Sequence, residues 1–213
     1  MSAAGKIRRN LPNREQGRQD LPVRRAFSTS WALLLLTLVL LVTAPVAGAQ
    51  AHSPSEYQVK AAFLFNFAKF IDWPPSAFAG PQSPFAICIL GVDPFGKTID
   101  NALEGKAIGD HPVIVLRAKD AADARRCQMV FVSSSEKQHL AELIASFRGA
   151  NILIVGETER FADAGGTIEL MLDQNHIRFA INTYAAEAAG LKISSKLLAL
   201  AKIVRAGPES GRN

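Results

Sequence analysis

The 213-residue chain holds 24 Lys and Arg against 19 Asp and Glu, a formal net charge of +5, with 48% hydrophobic residues and only two cysteines. The surplus sits at the front: Lys6, Arg8, Arg9, Arg14, Arg18, Arg24 and Arg25 against Glu15 and Asp20 fall in residues 1–49, leaving 17 basic and 17 acidic side chains among the other 164 residues. A neutral body of this size excludes a nucleic-acid partner recruited by net charge, and is long enough for one domain with its own core but not for two.

Residues 1–49 read as a secretory signal peptide. Arg24 and Arg25 precede an apolar run, Trp31 to Leu36 and Leu38 to Val42, which gives way to Ala47, Gly48 and Ala49, the charged, apolar, small-residue order of such segments. The run is about half the ~20 residues of a membrane-spanning helix. Cleavage after Ala49 or Ala51 is therefore expected, in preference to an uncleaved anchor, with no direct membrane insertion afterwards. Arg24, Arg25, Ala26 and Phe27 also match the start of a twin-arginine signal, but the Leu-rich run favours the general secretory (Sec) route and a periplasmic location. In an oxidising compartment the even pair Cys88 and Cys127 is most simply a disulfide; two buried thiols that never meet is the alternative. A bridge closing about 40 residues is worth about 4 kcal/mol in the chain-entropy model.

Ser53, Pro54 and Ser55 supply helix-start chemistry, and Val59, Phe63, Phe67 and Phe70 recur at helical spacing on one face of an amphipathic helix that Pro74 and Pro75 end. The rings of Phe63, Phe65, Phe67, Phe70 and Trp73 outnumber what one buried stripe requires, so core packing competes with an exposed contact surface. After the loop 74–84, the runs Phe85 to Leu90, Val113 to Leu116, Met129 to Val132 and Ile152 to Val155 have the near-continuous apolar pattern of strands covered on both faces. Helices are predicted between them over Gly96 to Leu103, Asp120 to Arg126 and Ser135 to Phe147. This alternation predicts a single three-layer α/β domain over residues 55–205, with a mixed, mostly parallel sheet flanked by helices. Thr167 to Leu172 and Ile177 to Ile181, joined by Asp173, Gln174 and Asn175, read as a C-terminal β-hairpin. Leu191, Ser194, Leu197, Leu198, Ala201 and Val204 predict a closing helix, and residues 206–213 a disordered tail.

Two motifs invite an enzymatic reading. Gly91 to Thr98 (GVDPFGKT) fits the phosphate-binding P-loop pattern and lies between a predicted strand and helix. Pro94, however, removes a backbone donor such a loop needs, Phe95 crowds it, and the candidate magnesium ligand Asp173 falls in a hairpin. A strand-to-helix turn, with Gly91 and Gly96 supplying backbone freedom and Asp93 capping, explains the segment better. Ser134 to Lys137 matches Ser-x-x-Lys, but the motifs that accompany it in acyl-transferring enzymes are missing and a helix N-cap is the simpler explanation. The four histidines, His52, His111, His139 and His176, show no metal-ligand spacing, so no metal, cofactor or catalytic residue is assigned.

Tyr57 to Pro74 (YQVKAAFLFNFAKFIDWP) and Phe179 to Val204 (FAINTYAAEAAGLKISSKLLALAKIV) resemble the opening and closing signatures of the YfiR family of exported proteins, and ILGVDPFG around Gly91 and MVFVS around Phe131 fit its middle. The resemblance implies a periplasmic, non-catalytic α/β regulator, often dimeric. Such a regulator binds and represses the periplasmic sensor domain of an inner-membrane diguanylate cyclase, and so acts on cyclic-di-GMP and biofilm growth. It also puts Cys88 and Cys127 where one family disulfide lies, while a second cysteine pair of some relatives, nearer the C-terminus, has no counterpart here. A competing reading is a periplasmic small-ligand receptor coupled to a sensor kinase or cyclase. Open α/β sheets bind ligands beyond the carboxyl ends of their strands, which would gather Asp93, Phe95, Ser133, Ser134 and Gly156 at one edge.

Overall fold

The structure, a computed structural model, describes residues 55–207; the expected signal segment 1–49 and the tail residues 208–213 lie outside the described residues. Ser55 opens the first helix, α1 (Glu56–Lys69), with a full capping box: its side chain accepts from the Gln58 N–H, and the Gln58 side chain accepts from the Ser55 N–H. The buried stripe of α1 is Lys60, Ala61, Leu64, Phe67 and Ala68. It is rotated from the predicted one, of which Phe67 alone is fully buried, while Val59 and Phe63 are half-buried and Phe70 is 38% exposed.

Beyond the short β1 (Ile71–Asp72) and a 3-10 turn at Pro75–Ala77 come β2 (Phe85–Leu90), α2 (Lys97–Leu103), β3 (Ala107–Ile108), β4 (His111–Ala118), α3 (Ala121–Ala124) and β5 (Met129–Val132). A 3-10 turn at Ser134–His139 leads into α4 (Leu140–Ser146), so the single helix predicted from Ser135 is two pieces. Then follow β6 (Leu153–Gly156), β7 (Ile168–Asp173), β8 (His176–Asn182), α5 (Thr183–Ala188), β9 (Lys192–Ile193), α6 (Ser195–Leu198) and β10 (Lys202–Val204). The predicted closing helix is corrected here to strand, helix, strand. Ile193 pairs with Ile71 in a two-stranded antiparallel sheet, and Lys202 to Val204 pair in parallel with Ala180 to Asn182. The predicted tail also begins too early, because Ala206 is buried and its carbonyl accepts from Asn182 Nδ2 at 3.0 Å.

The main sheet has eight strands in the order β10-β8-β7-β6-β5-β2-β4-β3. β4, β2, β5, β6 and β7 run parallel; β8 returns as the antiparallel arm of the β7–β8 hairpin, and β3 is antiparallel to β4. Alternate residues of each strand feed two cores. Phe85, Ile87, Ile89, Met129, Phe131 and Leu153 face the side covered by α1 and α2. Ala86, Cys88, Leu90, Val130, Val132 and Ile154 face the side covered by α3 and α4. On that second side Cys88, central in β2, is disulfide-bonded to Cys127 just ahead of β5, with a Cα–Cα distance of 5.9 Å and 39 residues of separation.

Candidate functional site

β2 is flanked by β4 on one side and by β5 on the other, so the chain reverses its progress across the sheet at the carboxyl ends of β2 and β5, the position where open α/β folds place ligands. Of the five residues expected there, Asp93, Phe95, Ser133 and Ser134 follow the ends of β2 and β5 and Gly156 closes β6. Asp93 Oδ1 accepts from the N–H groups of Phe95 (2.8 Å) and Gly96 (3.2 Å), and Oδ2 accepts from Arg117 Nε (2.9 Å). Two donors that a phosphate loop would aim at a ligand are thus taken by the chain's own carboxylate, and Lys97 is exposed. Phe95 is 3% exposed, edge-on to Tyr57 (5.3 Å between centroids) and to Phe131 (4.8 Å). Ser133 is buried and caps the following 3-10 turn by accepting from the Ser135 N–H; Ser134 is exposed on that turn. Gly156 lies against Phe161, and a Cβ there or at Gly166 would overlap the ring.

Protein groups tie the end loops of β2 and β5 together. The Val92 N–H donates to Ser135 Oγ (3.0 Å) and the Ser133 N–H to the Leu90 carbonyl (3.0 Å). Gly91, at φ 91°, has no room for a Cβ beside Ser135 and Glu136. Arg117 on β4 locks the neighbouring loop: besides Asp93 it donates to both oxygens of Asp100 at 2.7 Å and to the Gly96 carbonyl at 2.8 Å. The Arg117 guanidinium holds the Asp100 carboxyl below its usual range and is itself held protonated by the pairing.

The residues that sequence reasoning missed lie one strand further on. Lys60 is 4% exposed, with Nζ 2.6 Å from Glu157 Oε2, 2.5 Å from Glu56 Oε1 and 4.6 Å from the Tyr57 ring centroid. Tyr57 donates to the same Glu157 oxygen at 3.4 Å. Burial pushes the Lys60 ammonium toward neutrality, but its hydrogen bonds to Glu157 and Glu56 outweigh that and leave its pKa raised. Burial, then the Glu157 charge, raises Tyr57 as well. Among the described residues Glu157 Oε1 and Thr158 Oγ1 are buried without a hydrogen-bond partner. Spacing held one clue, since Lys60 occupies the same stripe as Leu64, Phe67 and Ile71, but its partner is 97 positions away. The loop that begins at Glu157 is held by buried Glu169, which accepts from the N–H groups of Arg160 and Ala162, both at 3.1 Å.

Away from this edge, an apolar cleft of about 290 Å³ opens on the disulfide side between α4 and α5, lined by Ile144, Phe147, Ile154, Tyr184, Ala185 and Ala188 among others. A more polar cleft of about 610 Å³, with Lys119, Asp120, Glu136 and His139, lies beside Gly91. Among the described residues no three of His, Cys, Asp or Glu gather to hold a metal ion, and no helix is long and apolar enough to cross a membrane.

These features define a disulfide-bonded, mostly parallel α/β domain whose β2 and β5 end loops are tied together by its own side chains, with a polar cleft beside Gly91. The family follows from sequence: the YfiR/HmsC-like family model matches residues 57–202, and the chain belongs to that family. Its members are regulators rather than catalysts, and membership is consistent with control of diguanylate cyclase signalling through a protein partner. Among solved structures, a conserved domain protein of Vibrio cholerae O1 biovar El Tor is similar at a TM-score of 0.49 and 11% identity, over 70% of this chain and 60% of that one. An ABC domain from Streptococcus pneumoniae in complex with L-Trp is similar at 0.44 and 12%, over 56% and 54%. Neither similarity bears on function.

Proposed function

We propose that the protein is a periplasmic, non-catalytic regulator that binds the sensor domain of an inner-membrane signalling protein, a diguanylate cyclase, and holds it in its inactive state. The match of the family model to residues 57–202 carries this reading, because it covers nearly the whole described domain. The bonds within the β2 and β5 end loops support it, because the Val92 N–H is taken by Ser135 and the N–H groups of Phe95 and Gly96 by Asp93, which leaves these donors to the chain itself rather than to a ligand. A bound regulator shifts its partner only by the difference in its affinity for the partner's two states. Homodimerisation, which the family resemblance implies, would double the contact surface offered to the partner. Deleting the gene should raise cyclic-di-GMP and attached growth; unchanged levels of both would sink the repressor reading.

A second reading, a small-ligand receptor coupled to a sensor kinase or cyclase, draws on the apolar cleft near Tyr184. A thermal-shift screen of amino acids, nucleotides and cell-wall fragments separates the two, because a ligand that binds only the folded state raises the melting temperature and a pure contact module shows no shift.

A further inference from the structure

The main sheet ends on β10. The inner edge of this strand pairs with β8, Lys202 opposite Ala180 and Val204 opposite Asn182, and among the described residues no strand takes its outer edge. Edge strands leave a row of backbone donors and acceptors open, and proteins usually blunt them. At the other end of the sheet β3 is blunted in the usual way, with two residues set between Gly105 and Gly109 and flanked by Lys106 and Asp110. β10 differs. Leu200, just ahead of it, is 76% exposed and Ile203 within it is 43% exposed, while Tyr184, 49% exposed, lies beside Gly207 just past its end. The strand is also firmly presented. Asn182, fully buried, donates to the carbonyls of Ala162 (2.8 Å) and Ala206 (3.0 Å), which fixes the chain beyond β10 to the end of β8.

Charge then selects what can pair there. From Gly190 to Gly207 the chain carries Lys192, Lys196, Lys202 and Arg205 and no acid, and none of the four is in an ion pair among the described residues. A second copy meeting this edge about a two-fold axis would bring the same cations against one another, and like charges set opposite across strands destabilise the pairing. An extended segment of opposite charge meets no such penalty.

We propose that the outer edge of β10 is a docking strand, and that its occupant is an extended segment of a partner protein in which apolar residues alternate with Asp or Glu. The segment adds a ninth strand by main-chain hydrogen bonding, covers Ile203 with its apolar side chains on one face and pairs its carboxylates with Lys202 on the other, while Arg205, just past the strand, adds to the positive field that attracts it. The proposal rests on the reading of the domain as a contact regulator, and adds the surface and the chemistry of the contact.

The test uses the purified protein and two blocked octapeptides, one alternating Val with Glu and one alternating Val with Lys. Backbone amide exchange is followed by NMR. The Glu peptide should slow exchange of the outward-facing amides between Lys202 and Arg205 by about tenfold, the Lys peptide should not, and the exposed-site variant K202E/R205E should reverse that preference. Protection by neither peptide, or by both equally, overturns the proposal. So does protection that grows with protein concentration in the absence of peptide, which would assign the edge to a second copy. Because the readout is amide protection, its failure leaves the repressor reading standing, while an unchanged cyclic-di-GMP level on gene deletion fails that reading and not this one.

Discussion

Along β2, Phe85, Ile87 and Ile89 point to the α1 side of the sheet, and Ala86, Cys88 and Leu90 point to the other; β5 repeats the division with Met129 and Phe131 against Val130 and Val132. The α1 side is an aromatic core in which Phe67 packs 5.1 Å from Phe179 and Phe131 packs 4.8 Å from Phe95, under a helix of 14 residues. The disulfide side is lined by smaller residues, covered by helices of four and seven residues, and leaves the cleft of about 290 Å³ beside it. Burial stabilises by about 25 cal/mol per Å² of apolar surface, so the side with small side chains gains less from packing. There a covalent tie between β2 and the start of β5 takes a larger share. One face of the sheet is thus held by apolar area alone, and the other by a core of smaller strand residues together with a cross-link.

The comparison can be broken by substitution, and the largest effects belong on the aromatic side. Phe131→Ala should cost about 3–5 kcal/mol, because it removes a fully buried ring and leaves a cavity against Phe95; urea unfolding followed by circular dichroism measures it. Lys60→Met should cost about 3–5 kcal/mol by leaving Glu157 buried and unpaired, and adding Glu157→Leu should restore most of that stability. The pair also sets an alkaline limit. With its folded pKa raised above 10.5, Lys60 contributes stability that is fully present below that pH and is lost as pH rises through the folded value, a loss that Lys60→Met/Glu157→Leu should not show.

On the other face, the double variant Cys88→Ala/Cys127→Ala should lower stability by about 2–4 kcal/mol with the fold retained. A loss larger than that of Phe131→Ala would reverse the ranking of the two faces. Gly156→Ala should cost about 1–3 kcal/mol by driving a methyl into the Phe161 ring, read as a shift in denaturation midpoint at constant slope. Asp100→Asn should cost no more than about 0.5 kcal/mol, because the pair with Arg117 is solvent-screened and Asp100 is 43% exposed. Since Asp100 titrates below 3.8 when folded, its contribution is present above that pH and fades as pH falls through the folded value. Stability against pH for wild type and variant should therefore converge in acid.

Strands β2 and β5 were legible to the residue, because both faces of a central parallel strand are buried and the apolar run has no gaps. The Cys88–Cys127 bond followed from a count of two. Asp93 was legible as a cap because its bonds are local, to residues two and three positions on. The C-terminal segment was not. Leu191, Leu197 and Leu198 do recur at helical spacing, but Ile193 and Ile203 belong to strands of two and three residues whose pairing partners, Ile71 and Ile181, are remote in sequence. Elements that short leave no period to read. The α1 stripe was misplaced for a related reason: a lysine is assigned to solvent unless its buried partner is known, and Glu157 enters from the far end of β6.

Phe161 lies flush against two positions without a Cβ, Gly156 at the end of β6 and Gly166 ahead of β7, and these bracket the loop that delivers Glu157 to Lys60. The three positions are therefore epistatic. Neither glycine can accept a methyl while the phenyl ring stays, and shrinking the ring leaves a void that a methyl on either glycine would begin to fill. Among natural variants they should be inherited as one unit, with Gly-Phe-Gly common, alanine at 156 or 166 found only beside a smaller residue at 161, and the mixed combinations missing.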